Sequence, residues 1–406
     1  MRTLKYGLEK PTLIWLVVAV LYFTFFWTHF RQSPLQEHEQ ASLAIIEKFA
    51  HDAFPPTLGV LKTTPDWGGH LGWYVVMGQV YGLFGQEVQT LRVVNVVVML
   101  AALLVFVYLG YAVTYRNRLN PLWISLALVL FAANPYSWLS AFRVDYLPLL
   151  CLSLLLALYC FEREQLGFSA LFSSFAVLVD WRALVLPLAF LITRLTGESS
   201  KLLRPERMIA FILPFFVGAL PLLGWKGIVP EGEARANWQL LLENASVFRI
   251  EELSYLILLL PLYSLYFSWA WAFNARSRSL VLGAIWSAVL IPAFFFFPMR
   301  FDLWNEIKFG LQVPRGYIDL GALMVAGQYK NLVLFVPWLA GVFLVFQLIF
   351  MDALEQSRSL RYFILISLLI QPFVVGVADR DFLIILPFVL LLSLSEALVG
   401  EEGKLA

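Results

Sequence analysis

Long apolar stretches separated by short polar breaks set the pattern of this chain. Runs lie near 11–30, 88–112, 121–140, 144–161, 166–180, 183–197, 208–225, 252–273, 279–298, 331–351, 361–378 and 382–398. A straight helix crosses a bilayer with about 20 such residues, so the pattern predicts an all-α, polytopic transmembrane bundle of about 11–12 spans. Between the first two runs lies a long polar segment, 31–87, which contains its own apolar stretches at helical spacing (Ala41, Leu43, Ile45, Ile46, Phe49). It reads as a loop carrying helices that lie in the membrane interface.

Short loops rich in Lys and Arg mark the cytoplasmic side. Arg116, Arg118, Arg163, Arg194, Lys201, Arg204, Arg207, Arg276, Arg278, Arg358 and Arg361 fall on one side if the runs alternate and 166–197 forms a hairpin. The short basic start, Met1 to Lys10, then lies in the cytoplasm, with the first run a retained signal anchor. The other, extracytoplasmic face receives the first loop, the link 135–143, the tip Asp180-Trp181-Arg182, the loops 226–251 and 299–330, and Asp379-Arg380-Asp381. Two parts are expected: 1–200, holding the first loop and most motifs, and 201–406, a second helical bundle with the two later outer loops.

Composition narrows the function classes. The chain is 60% hydrophobic with a net charge of only +1, so it is a membrane protein with no reason to bind nucleic acid. Its two cysteines, Cys151 and Cys160, share one apolar run and fit packing better than a disulfide or zinc site. His38, His51 and His70 match no compact metal-ligand spacing, so no metal site is assigned. A divalent cation bound by carboxylates is the one cofactor left open. Asn244-Ala245-Ser246 forms a glycosylation sequon.

The candidate chemistry gathers on the extracytoplasmic face. Glu37 and Glu39 are carboxylates able to act as general base, or to be ordinary solvated acids. Asp145 opens the run at 144–161, where it serves either chemistry or helix capping. Arg92, Arg182 and Arg380 each stand at an outer span end, and a planar guanidinium suits a lipid phosphate as well as it suits snorkelling to headgroups. Lys62 and His70, in the first loop, complete the candidate substrate-binding set. No Gly-rich phosphate loop or nucleophile elbow occurs, so nucleotide hydrolysis and covalent acyl chemistry are not indicated.

The order of these features resembles the GT-C superfamily of integral-membrane glycosyltransferases. Glu37-His38-Glu39, Thr64-Pro65 to His70, Gly85 and Leu91-Arg92 look like that family's first-loop series. Asp145 resembles its second acid, Val179 to Pro187 with Arg182 its basic segment, and Arg380 to Pro387 its terminal arginine-to-proline pattern. Lys48-Phe49, Phe54, Thr63-Thr64 and Trp225 to Val229 are similar to short stretches of the dolichyl-phosphate-glucose glucosyltransferases. One departure stands out: the family's Asp-Glu pair falls on His38-Glu39, with Glu37 the nearest substitute for the Asp.

The resemblance implies inverting transfer of a sugar from a polyprenyl-phosphate donor to a hydroxyl of a glycan, lipid or protein. It implies Glu39 or Glu37 as base, Asp145 orienting the base or the acceptor or helping to hold a metal ion, and arginines on the phosphate. Three other readings fit the same layout: a transporter or lipid flippase, a polysaccharide polymerase or ligase, and a non-catalytic relative. Span centres nearly free of charge favour an enzyme at the interface over a transporter with a midplane site.

Overall fold

The apolar runs fold as helices, and local sequence stops such as Asn134-Pro135 divide some of them. A computed structural model of the protein describes residues 2–50, 70–115, 121–196, 205–224, 248–264, 277–296, 317–350, 357–373 and 379–396. Among them every regular element is helical. Two compact units are present: 1–111 with 120–242, and 112–119 with 243–406.

The first unit opens with α1 (Arg2–Phe25), which continues as a π-turn, Phe26–Phe30. Then come α2 (Glu37–Ala50), α3 (Leu71–Phe84), α4 (Val88–Tyr115), α5 (Pro121–Ala133), α6 (Pro135–Phe142), α7 (Leu147–Glu162) and α8 (Leu166–Val179). A 3-10 turn, Trp181–Leu184, leads into α9 (Val185–Thr196), and α10 (Pro205–Gly224) follows. The run at 121–140 is two helices because Asn134-Pro135 interrupts it. Pro135 has no N–H to give, and the Asn134 side chain accepts from the Tyr136 amide at 2.9 Å, starting a new helix bent 58° from the last.

Packing fixes these elements against each other. The Tyr22 hydroxyl donates to the Ala132 carbonyl at 2.7 Å and the Trp15 indole donates to the Leu100 carbonyl at 2.9 Å, fastening α1 to α5 and α4. Phe25, Phe30, Trp138 and Phe142 form an aromatic cluster at the C-terminal end of α1, with ring centroids 4.8 Å apart for Phe25–Trp138 and 5.0 Å for Phe30–Phe142. α2 lies close on α3 because α3 presents glycine there: a Cβ on Gly78 would stand 2.7 Å from the Phe49 Cβ. Gly72 in turn meets Leu178, seating α3 on α8.

The second unit contains α11 (Ile250–Ser264), α12 (Ser277–Phe296), α13 (Tyr317–Ala326), α14 (Lys330–Phe350), α15 (Arg358–Ile370) and α16 (Leu386–Glu396), with a 3-10 turn at Asp379–Ile384. α11 and α14 approach so closely at Gly341 that a Cβ there would be 2.0 Å from the Ile257 carbonyl oxygen. Buried Ser357 donates to Glu396 at 2.5 Å.

Among the described residues, three helical stretches are long and apolar enough to cross a membrane: Pro11–Phe30, Val88–Ala112 and Leu332–Phe350. The bent pair α5–α6 adds a fourth if it acts as one broken span. The apolar stretches Leu147–Glu162, Leu166–Val179, Met208–Leu220, Glu252–Ser264, Leu280–Ile291 and Leu386–Glu396 are shorter, each less than the roughly 30 Å hydrocarbon core. α10 packs on α8, with Gly218 against Val177, and so belongs to the first unit.

Candidate functional site

The start of α2, the start of α4 and the link between α6 and α7 meet around one buried carboxylate. Glu39 has 0% exposure. Its Oε1 accepts from Arg92 Nε at 3.1 Å and from the Val144 amide at 3.0 Å. Its Oε2 accepts from Arg92 Nη2 at 2.9 Å and from the Gln36 amide at 3.1 Å. Burial alone would raise this acid's pKa, but the Arg92 hydrogen bonds and the Val144 and Gln36 amides outweigh it, so the carboxyl is held below its ordinary value. Arg92 is used up in the same structural work. Its Nη1 donates to the carbonyls of Phe30 and Ser33 and to the Ser33 hydroxyl, at 2.9–3.1 Å.

The α6–α7 link, Arg143 to Tyr146, has its backbone held by side chains from elsewhere. The Val144 amide is taken by Glu39. Asn95, one turn beyond Arg92 on α4, donates its Nδ2 to the Arg143 carbonyl at 2.6 Å and the Asp145 carbonyl at 2.8 Å. Arg143 itself donates to the Gln36 side chain. Buried Asp145 accepts from the amide of Leu147, the first residue of α7, at 3.1 Å, while Pro148 has no N–H that needs an acceptor.

A second polar group adjoins this link. Tyr146 stacks on His70, ring centroids 3.8 Å apart, and its hydroxyl accepts from Arg182 Nη2 at 2.8 Å. Arg182 grips Asp180 with Nε and Nη2 at 2.7–3.1 Å, and Asp180 Oδ1 also accepts the Arg182 amide at 2.8 Å, shaping the turn after α8. His70 Nδ1 lies 2.7 Å from the Val179 carbonyl, an oxygen that can only accept, so Nδ1 carries the proton.

Of the residues singled out from sequence, Glu39, Arg92, Asp145, Arg182 and His70 thus fall into one connected polar group. Glu37 opens α2 beside it. Lys62 lies outside the described residues, as do His51, Phe54, the 63–69 part of the first-loop series and the Asn244-Ala245-Ser246 sequon. Arg380 belongs to the second unit, half-buried in the turn that opens with Asp379. There Asp379, 1% exposed, accepts from the hydroxyls of Tyr255 and Tyr263 (the latter at 2.7 Å) and from the Ile318 amide at 3.1 Å.

Sequence reasoning passed over Asn95, Gln36, Tyr146, Asp180 and the tyrosines around Asp379. Asn95 had a signal: it is a carboxamide inside an apolar run, three residues after Arg92 and so on its face of the helix. No cluster of three or more metal-ligating side chains occurs among the described residues. No protein-family model, curated protein or solved structure matches the chain.

Proposed function

We propose that the protein is a multi-pass membrane glycosyltransferase with its amino terminus in the cytoplasm. It moves a sugar from a polyprenyl-phosphate donor to an acceptor hydroxyl of a glycan, lipid or protein at the extracytoplasmic surface. The observation carrying this reading is the meeting of Glu39, Arg92, Asp145, Arg182 and His70 at the links between apolar helices. Buried charge of this density is costly next to a bilayer and marks a functional site.

The roles divide by chemistry. Glu39 already accepts four hydrogen bonds and is held ionised by Arg92, so it is a poor proton acceptor and serves as the anchor of α2. The base is then Glu37, at the first position of the same helix. The acceptor hydroxyl gives its proton to that carboxylate while its oxygen bonds to the anomeric carbon. The bond from that carbon to the phosphate oxygen breaks from the opposite side, and its electrons leave with the polyprenyl phosphate, so configuration inverts. Asp145 orients the acceptor. Arg182, in the same unit as Asp145, offers its guanidinium to the departing phosphate.

The test is transfer of labelled sugar by purified protein from a panel of polyprenyl-phosphate sugars. Glu37→Gln and Asp145→Asn are expected to lower transfer by about 100-fold or more while the protein stays folded, the usual worth of a positioned base. Consumption of no donor by the wild type, or full transfer by both variants, sinks the reading. Movement of labelled lipid across vesicles without a new glycosidic bond would put the flippase in its place.

A further inference from the structure

Backbone groups on three consecutive residues of the α6–α7 link are bonded to side chains of other helices. The Arg143 carbonyl goes to Asn95, the Val144 amide to Glu39 and the Asp145 carbonyl back to Asn95. A link with no ladder or helical bonding of its own takes the geometry its partners impose. Asn95 holds it from both sides of Val144. It is 1% exposed, and its Oδ1 is buried with no hydrogen-bond partner among the described residues. Burying an unsatisfied carboxamide oxygen is unfavourable, so an apolar residue would be cheaper here if packing were all that mattered.

We infer that Asn95 is a positioning residue that sets the Arg143–Asp145 link and, through it, the Asp145 carboxylate. The inference rests on the glycosyltransferase reading for its catalytic consequence, not for its structural one. Its chemistry requires two N–H donors on one atom facing two carbonyls. Asn supplies them. Asp of the same shape would set a carboxylate against both oxygens and be repelled. Asp145 would then leave the Leu147 amide, and the acceptor it orients would be misplaced.

Two readouts on the full-length protein in detergent separate the possibilities. In amide hydrogen exchange, Asn95→Ala and Asn95→Asp should speed exchange in the 143–147 segment by at least about 10-fold, with the amides of α8 unchanged, since local opening reports local constraint. In sugar transfer, Asn95→Ala should lower kcat by about 100-fold with KM little changed, the scale expected when a reacting group is misplaced by about 1 Å. Added to Asp145→Asn it should lower kcat no further, because a residue acting through Asp145 has nothing left to position. Unchanged exchange at 143–147 overturns the inference, and so do losses that multiply in the double variant. If the wild type transfers no sugar while exchange responds as stated, the fault lies in the glycosyltransferase reading and the structural half of the inference stands.

Discussion

Each of the two units buries a carboxylate, and they satisfy it by different means. Glu39 in the first is held by a guanidinium and two backbone amides, joining three segments distant in sequence. Asp379 in the second takes two phenol hydroxyls and one amide, joining its turn to α11 and to the start of α13. A guanidinium cancels charge and provides several donors in a fixed plane; a phenol provides one neutral donor that rotates. Loss of Arg92 therefore strands a buried charge, whereas loss of one phenol leaves the other donors of Asp379 in place.

The largest effect follows directly. Arg92→Met should destabilise the protein by about 3–5 kcal/mol, read as thermal or denaturant unfolding in detergent, because Glu39 stays behind as an uncompensated buried charge. Adding Glu39→Met should restore much of that loss. A double variant no better than the single would mean that the ion pair is not what makes Arg92 indispensable. Acid sharpens the same point. The folded-state pKa of Glu39 lies below its ordinary value of 4.5, so its contribution is complete above that value and is lost as pH falls through the folded pKa. Wild-type stability should decline in that acid window, and Glu39→Gln, though weaker throughout, should show a flatter decline there.

Steric closeness distinguishes the units at the next scale. Gly341 on α14 would place a Cβ 2.0 Å from a backbone oxygen of Ile257, which cannot swing away as a side chain does. Gly341→Ala should cost about 2–3 kcal/mol as the two helices part. At Gly78 the encroachment is smaller, 2.7 Å to the Phe49 Cβ with backbone atoms of Phe49 and Ala50 at 3.0 and 3.1 Å, so an alanine there should cost less. Equal losses would erase the distinction. Tyr263→Phe comes next, about 1–2 kcal/mol, for one donor withdrawn from Asp379.

Much of the helix layout was readable, because apolar content and period are properties of the chain itself. Each expected run contains a helix. The break inside 121–140 was also written there as Asn134-Pro135, since capping and proline geometry are local. Span lengths were less legible: Pro148 and Asp180 cut the neighbouring helices to 16 and 14 residues, and the effect of such stops depends on what packs around them. At the site, Glu39 and Arg92 drew attention as charges at span ends, but their tie to each other crosses 53 residues. The Val144 amide that completes the site is invisible in sequence because every residue but proline has one. Asp180 looked like a tip residue, and only the fold makes it the anion in Arg182's grip.

The smallest expected effect concerns a glycine that sequence reading placed among the motif residues of the first loop. Gly85 ends α3 with φ at 98°, and nothing lies within 4 Å of where its Cβ would be. Its constraint is therefore conformational, unlike the steric one at Gly341. A Cβ in that backbone region costs about 1 kcal/mol, so Gly85→Ala should lower stability by that much and leave α2–α3 packing intact. The chain reverses here between α3 and the start of α4, with the Glu87 amide bonded to the Gly85 carbonyl at 2.8 Å. If the alanine variant unfolds as early as Gly341→Ala, the turn carries more of the first unit's stability than its backbone angle explains. A loss near 1 kcal/mol, with sugar transfer unchanged, would make Gly85 a residue of the turn alone and leave the site to the ionic and amide bonds around Glu39.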